Sequence, residues 1–191
     1  GFGVDLTVIK MKNWSRSMTW DETGLFWVMP SPNMGTFETA VVDPGQCLFE
    51  RTNLSEGRGT TKPFLMVGAP WVDAEKAAED LNSRGIEGAV FRPVHFIPDM
   101  SGSNPRKKPW KKMCAGVEVM LTDYKKYRSV EAAIHIFDAF DKTNPGKLEW
   151  SPPKAIKGLD RSGETVDKVL EACEKEVAGF KHTRKKYLLY R

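Results

Sequence analysis

The sequence predicts a mixed α/β (α+β) domain, a small sheet with flanking helices, and three observations carry that prediction. Ala89 to Ile97 and Cys114 to Thr122 alternate their side chains with the period of two of half-buried strands. Ser129 to Phe140 places Ala132, Ala133, Ile136, Phe137 and Phe140 at helical spacing. With 191 residues, 40% apolar and 28% charged, the chain is long enough for one fair-sized domain with a real core, and no apolar run is long enough to span a bilayer.

In chain order, Val4 to Met11 is β-branched and apolar and reads as a strand. A strand so close to residue 1 suggests an upstream domain, with residues 1–12 as its last strand or as a linker and residues 13–191 as an α/β domain of their own. Trp14, Trp20 and Trp27 either anchor an irregular segment on the core or present rings to a sugar or another domain. Pro30 and Pro32 keep the next stretch extended. Thr36 then has the position of an N-cap for a short helix from Phe37 to Val42, with Glu38 in its first turn and a break at Pro44-Gly45.

Pro63 to Val67 reads as a short strand. Asp73 caps a helix over Ala74 to Ser83 that buries Ala77, Ala78 and Leu81 and stops at Gly85. In the strand from Ala89, Arg92 and His95 point to opposite faces. In the strand from Cys114, Val117, Val119 and Leu121 share a face opposite Glu118 and Met120. Ser129 has the position of a cap for the next helix, which Asn144-Pro145-Gly146 ends. Ser151 to Pro153 is expected to be extended, Asp160 to Gly163 to turn, and Glu164 to Ala178 to form a last helix with Val166, Val169, Leu170, Cys173 and Val177 inward.

Charge and cysteines narrow the function classes. The net charge of +4 is concentrated in Arg106, Lys107, Lys108, Lys111 and Lys112 around Trp110, and in Lys181, Arg184, Lys185 and Lys186. These clusters lie beside turn-forming residues or near the end of the sequence, where solvated lysines need no ligand, so no nucleic-acid partner is expected. Cys47, Cys114 and Cys173 lack metal-ligand spacing and read as free buried thiols, and no metal or cofactor is expected.

The chemistry gathers in Asn53 to Trp71. There a carboxylate (Glu56), a guanidinium (Arg58), hydroxyls (Ser55, Thr60, Thr61) and an amide (Asn53) are interleaved with Gly57 and Gly59 and closed by Trp71. Alternate glycines permit positive φ and a close approach to the backbone. Glu56 is the best single carboxylate for glycosidic hydrolysis, which needs two carboxyl groups, and a second is not evident among Asp21, Glu22, Asp99 and Glu118. Arg58 either pairs with Glu56 as a structural tie, lowering its pKa, or clamps a substrate carboxylate through its planar fork.

The string Asn53-Leu54-Ser55-Glu56-Gly57-Arg58-Gly59-Thr60-Thr61, with Pro63-Phe64 and Gly68-Ala69-Pro70-Trp71, resembles the signature of the bacterial exo-β-N-acetylmuramidases of the NamZ type. Asn13-Trp14, Trp20-Asp21-Glu22-Thr23-Gly24, Pro30-Ser31-Pro32-Asn33, Glu38-Thr39-Ala40, Phe91-Arg92-Pro93, Cys114-Ala115-Gly116-Val117 and Glu149-Trp150 agree in order, so the likeness runs to about Asp160.

The resemblance implies a two-domain enzyme, Rossmann-like followed by a smaller α/β domain, that releases N-acetylmuramic acid from the non-reducing end of peptidoglycan fragments. On it, this chain is the C-terminal portion and is inactive by itself. The glutamate usually proposed as catalytic, and the other wall of the cleft, lie in the missing N-terminal domain. The expected location is secreted or periplasmic.

For the site, the loop's composition and the resemblance together give Glu56 as catalytic or as the residue that orients Arg58. Arg58 binds the lactyl carboxylate of muramic acid, with Arg92 second. Asn53, Ser55, Gly59 and Thr60 bind sugar hydroxyls or the acetamido group, Trp71 stacks on a pyranose face, and His95 stands nearby. The alternative is a non-catalytic glycan-binding or interaction domain with the same loop.

Overall fold

A computed structural model of the chain describes residues 3–100, 108–150 and 164–190. The expected extended and turn segments at 151–153 and 160–163 lie outside them. The described residues form a small antiparallel sheet in which Cys114–Leu121 lies between Met66–Ala69 and Ala89–Phe96, with helices packed on one face. The class is the one the alternation and spacing predict.

Helix α1 (Phe37–Gln46) starts where Thr36 accepts a hydrogen bond from Thr39 N at 3.3 Å. It does not break at Pro44-Gly45, as the sequence suggests, but runs through Pro44 into a 3₁₀ turn over Cys47–Arg51. Tertiary contact explains the override. Ser129 donates its hydroxyl to Val42 O at 2.6 Å and accepts from Gly45 N at 2.5 Å, bonding backbone groups beside the proline. A Cβ on Gly45 would lie 2.0 Å from Ser129 O, so the glycine serves close helix approach rather than chain reversal. Ser129 is therefore no cap; Arg128 occupies that position, and Ser129 opens helix α3 (Ser129–Thr143) with its side chain turned to α1.

Strand β1 (Met66–Ala69) is shorter and later than the run from Pro63 suggests, because Phe64 sits at φ 61° before it. Helix α2 (Ala74–Ser83) begins at Asp73, whose side chain accepts from Lys76 N at 3.1 Å. Strands β2 (Ala89–Phe96) and β3 (Cys114–Leu121) pair in a regular register that sets Arg92 opposite Glu118 and His95 opposite Ala115. Arg92 and His95 accordingly lie on opposite faces. Asn82 of α2 covers part of the β2 edge, donating to Phe91 O at 2.8 Å and accepting from Phe91 N at 2.9 Å.

The helix-facing side of the sheet supplies Val67, Ala69, Phe91, Val117 and Val119 to the main core, where they meet Leu81, Ile136, Phe140 and Phe49. Phe49, Phe137 and Trp150 stack in sequence at 4.4 and 4.9 Å. The other face carries a small separate cluster, Met66, Phe96 and Cys114 with Val94 against it. Of the helix α4 (Val166–Arg184), only Val169 is buried; Val177 is exposed, against the inward face expected of it.

Val4 to Met11 is not a strand: it has no regular structure, and Val4, Leu6 and Ile9 are exposed. A strand needs a neighbouring strand for its backbone, and among the described residues none pairs with this segment, whose Met11 N–H donates to the Tyr190 hydroxyl at 2.7 Å. The tryptophans anchor the irregular stretch. Trp20 meets Trp27 edge-on at 5.5 Å, Trp27 leads to Phe37 and Phe37 to Tyr124, while Trp14 meets Tyr190 at 4.8 Å.

The Gly45–Ser129 contact is testable by urea denaturation. Gly45→Ala is expected to cost about 1–3 kcal/mol through overpacking, and Ser129→Ala a similar amount by leaving a buried N–H unpaired. Gly35→Ala, with no atom within 4 Å of its new Cβ, serves as the neutral control.

Candidate functional site

The polar groups of the loop that begins at Asn53 bond to one another and to neighbouring segments of the chain. Asn53 closes against the segment before Trp150: its N–H donates to Glu149 O at 3.0 Å, its amide donates to Lys147 O at 2.8 Å, and its carbonyl oxygen accepts from Glu149 N at 3.1 Å. Ser55 exchanges backbone bonds with Gly68 at 2.8 and 3.0 Å and so adds the loop to the free edge of β1. Its hydroxyl accepts from Gly57 N at 3.2 Å. Thr60 donates its hydroxyl to Gly57 O at 2.6 Å and accepts from Lys62 N at 3.1 Å. Gly59 sits at φ 80°, and a Cβ there would meet the Asp99 backbone at 2.6 Å.

At the centre is a buried ion cluster. Glu56 has no exposure, and both carboxylate oxygens are engaged: Oε1 accepts from Arg58 Nε at 2.6 Å and Oε2 from Lys108 Nζ at 2.6 Å. Lys108, whose side chain is fully buried, also donates to Phe49 O at 2.8 Å and Leu54 O at 2.6 Å. Three acceptors require three hydrogens, so this geometry specifies the ammonium form. Burial pushes the Glu56 carboxyl up, but the charge and hydrogen bond of Lys108, then those of Arg58, outweigh it and hold it below its usual range. Arg58 reaches on to Glu50 at 3.1 Å and lies over the Phe64 ring at 5.8 Å, with its side chain 20% exposed. Its Nη1 group has no hydrogen bond among the described residues.

A second cluster lies on the sheet face away from the helices. Glu118, 4% exposed, takes Lys62 on one carboxylate oxygen and Arg92 on the other. Burial raises its pKa, and the hydrogen bonds from Lys62 and Arg92 more than reverse that.

The structure thus brings Asn53, Ser55, Glu56, Arg58, Gly59 and Thr60 into one folded loop, with Arg92 joined to that loop through Glu118 and Lys62. Trp71 packs half-buried on the main core, and His95 is exposed on the opposite face from Arg92. The hydrogen bonds of Asn53, Ser55 and Thr60 hold the loop, and Glu56 has both oxygens occupied.

Lys108 escaped the sequence reading, which placed it in a solvated basic cluster; one ammonium buried close to the exposed Lys111 and Lys112 leaves no local mark. Glu118 did leave one. A carboxylate inside an apolar strand demands a buried partner. Of the cysteines, Cys114 alone is buried, its thiol pushed up to about 12 by burial, while Cys47 and Cys173 are half-exposed. His135 is half-buried beside Arg84, Nδ1 at 3.3 Å from Nη1. Among the described residues no group of three or more His, Cys, Asp or Glu is placed to hold a metal ion, and no helix is long and apolar enough to cross a membrane.

Comparison with known proteins sets this loop in a family. The family model described as exo-beta-N-acetylmuramidase NamZ, C-terminal, matches residues 41–190, and its N-terminal counterpart matches residues 1–38. The chain belongs to the NamZ family. It is 37% identical over 195 aligned residues to the peptidoglycan beta-N-acetylmuramidase NamZ of Bacillus subtilis (strain 168), covering 97% of this chain and 46% of that protein.

Among solved structures it is similar to two DUF1343 family proteins of Bacteroides fragilis NCTC 9343. One (BF0371) is 28% identical with a TM-score of 0.76 over 95% of this chain and 50% of that one. The other (BF0379) is 26% identical with a TM-score of 0.56 over 85% and 44%. The chain spans about half the length of these proteins.

Removing Lys108 is expected to cost about 3–5 kcal/mol, because Glu56 stays buried with one partner fewer. Lys108→Met combined with Glu56→Gln should lose less than the two single changes added together, read as a double-mutant cycle in urea. The pH dependence has a definite sign. Glu56 and Glu118 titrate below their ordinary value of 4.5 in the folded state, so their stabilisation is complete above that pH and is lost as pH falls through the lowered values. Glu118→Gln should flatten that acid limb, followed by denaturant midpoint between pH 7 and pH 3.

Proposed function

We propose that this chain is the C-terminal part of a glycoside hydrolase that releases N-acetylmuramic acid from the non-reducing end of peptidoglycan fragments, and that the Asn53 to Trp71 loop is one wall of the site. The observation that carries the reading is the buried Lys108–Glu56–Arg58 chain at the centre of the loop, in a member of the NamZ family. A carboxylate with no exposure and two cationic partners is a means of holding a third group still, and the group it holds toward solvent is Arg58.

In this reading Glu56 positions Arg58 instead of attacking a sugar, since attack needs a free oxygen. Arg58 donates through Nη1 to a sugar oxygen, and Trp71 and His95 border the site. The catalytic acid lies in the polypeptide that the N-terminal family model describes. The exposed Val4, Leu6, Ile9 and Phe26, all within the stretch that model matches, are the docking points for that part. Peptidoglycan as substrate places the enzyme outside the cytoplasmic membrane, secreted or periplasmic.

In the full-length protein, Arg58→Ala is expected to lower kcat/KM on a chromogenic β-N-acetylmuramic-acid glycoside by ~10-fold or more, about 1.4 kcal/mol. Unchanged turnover would remove Arg58 from the site. The chain by itself is expected to be inactive. If the full-length protein were inactive as well yet retained muropeptides, the glycan-binding alternative would replace hydrolysis.

A further inference from the structure

We infer that Lys62 and Arg92, seated on the two oxygens of Glu118, form an anion subsite that takes a carboxylate of the substrate; the inference rests on the proposed muramic-acid reading and names the group that is recognised. The register across the sheet places Arg92 opposite Glu118, and Glu118 opposite Met66. All three stand on the face whose apolar cluster contains no helix residue, so nothing from α2 or α3 covers them. Lys62 reaches the same carboxylate from the Asn53 to Trp71 loop.

Charge separates this cluster from the one at Glu56. A buried carboxylate is neutralised by one cation, and a second adds surplus positive charge. Glu118 has two, and both face water, with Lys62 49% and Arg92 55% exposed against 4% for the glutamate. An ammonium has three N–H donors and a guanidinium five, and among the described residues each cation gives one to Glu118, so most donors of both remain for a ligand.

Arg58 is in the opposite state. Glu56 and Glu50 bracket it, and its charge is already matched. An incoming carboxylate would meet two anions there and a net cation at Lys62–Arg92. The buried glutamate also limits the freedom of two long side chains, so less entropy is lost when they close on an anion.

The surroundings suit a sugar acid. Val90 and Met120, a cross-strand pair on the same face next to Arg92 and Glu118, are 46% and 44% exposed. They offer an apolar patch beside the cations, as a lactyl ether with one methyl and one carboxylate requires. An amino sugar without that ether gains nothing from either.

The test uses the full-length protein and two chromogenic substrates, the β-N-acetylmuramic-acid glycoside and its lactyl methyl ester. The wild type is expected to favour the free acid. Arg92→Gln should raise KM for the acid by ~10-fold or more with little change in kcat, leave the ester unaffected, and be partly rescued by Arg92→Lys. Lys62→Gln should act in the same direction. Should Arg92→Gln fold poorly because Glu118 keeps a single partner, the triple variant Lys62→Gln/Arg92→Gln/Glu118→Gln removes the buried charge together with both cations and carries the same expectation.

Equal treatment of acid and ester by the wild type, or equal loss on both in the variants, would overturn the subsite while leaving the hydrolase intact. If the wild type turned over neither substrate, the proposed function would fail first. Calorimetric binding of N-acetylmuramic acid against N-acetylglucosamine would then decide the subsite: a preference for the acid that Arg92→Gln abolishes supports it, and no preference overturns it.

Discussion

The Lys108–Glu56 ion pair is the contact on which the arrangement of the loop depends. One ammonium, fully buried, joins the end of a 3₁₀ turn at Phe49, the start of the loop at Leu54 and the carboxylate at its centre. Two of its three acceptors are backbone carbonyls, that of Phe49, which also accepts from Thr52 N, and that of Leu54, and a carbonyl left dry and unpaired is costly. The lysine thus satisfies the backbone at the bend while its charge keeps Glu56 ionised. An apolar residue of the same volume would fill the space but take the ammonium from Leu54 O and from one oxygen of Glu56, while Phe49 O would keep its bonds from Thr52.

Close backbone approach complements this polar centre. Gly45 lets α1 meet α3, Gly59 lets the loop meet Asp99, and Gly116 in β3 lies where a Cβ would stand 2.0 Å from Val67 O. In each case the partner is backbone, which cannot swing aside as the end of a side chain can. The loop is consequently pinned on three sides: to β1 through Ser55, to the segment before Trp150 through Asn53, and to the 97–100 stretch through Gly59. A loop held in this way presents side chains with little freedom, which favours precise recognition of a small rigid sugar.

Two cation clusters on one loop then divide the work by charge balance. Arg58 is bracketed by carboxylates and suits neutral oxygens; Lys62 and Arg92 share one carboxylate and suit an anion. Residue type did not distinguish them, since both clusters contain an arginine next to a glutamate. The number of carboxylates did, since Glu50 joins Glu56 at Arg58 while Glu118 stands alone between Lys62 and Arg92.

The sequence alone determined the class of the fold, the helices with strong apolar spacing, the two long strands and the family, because period, capping and a nine-residue motif of mixed chemistry are local properties. Asp73 as a cap, Ala74 to Ser83 as a helix and the opposed faces of Arg92 and His95 were legible for that reason. Tertiary structure decided what depends on partners distant in sequence. Ser129 reached α1 instead of capping α3, Pro44 stayed inside a helix, and Val4 to Met11 did not become a strand for want of a neighbouring strand. The same holds at Asn53 to Trp71. Its polarity marked it as a binding loop, yet which of its groups face a ligand was set by Lys108, fifty-two residues beyond Glu56, and by Glu118, fifty-six beyond Lys62. Buried charge must be compensated wherever the fold brings a partner, and no local pattern records that.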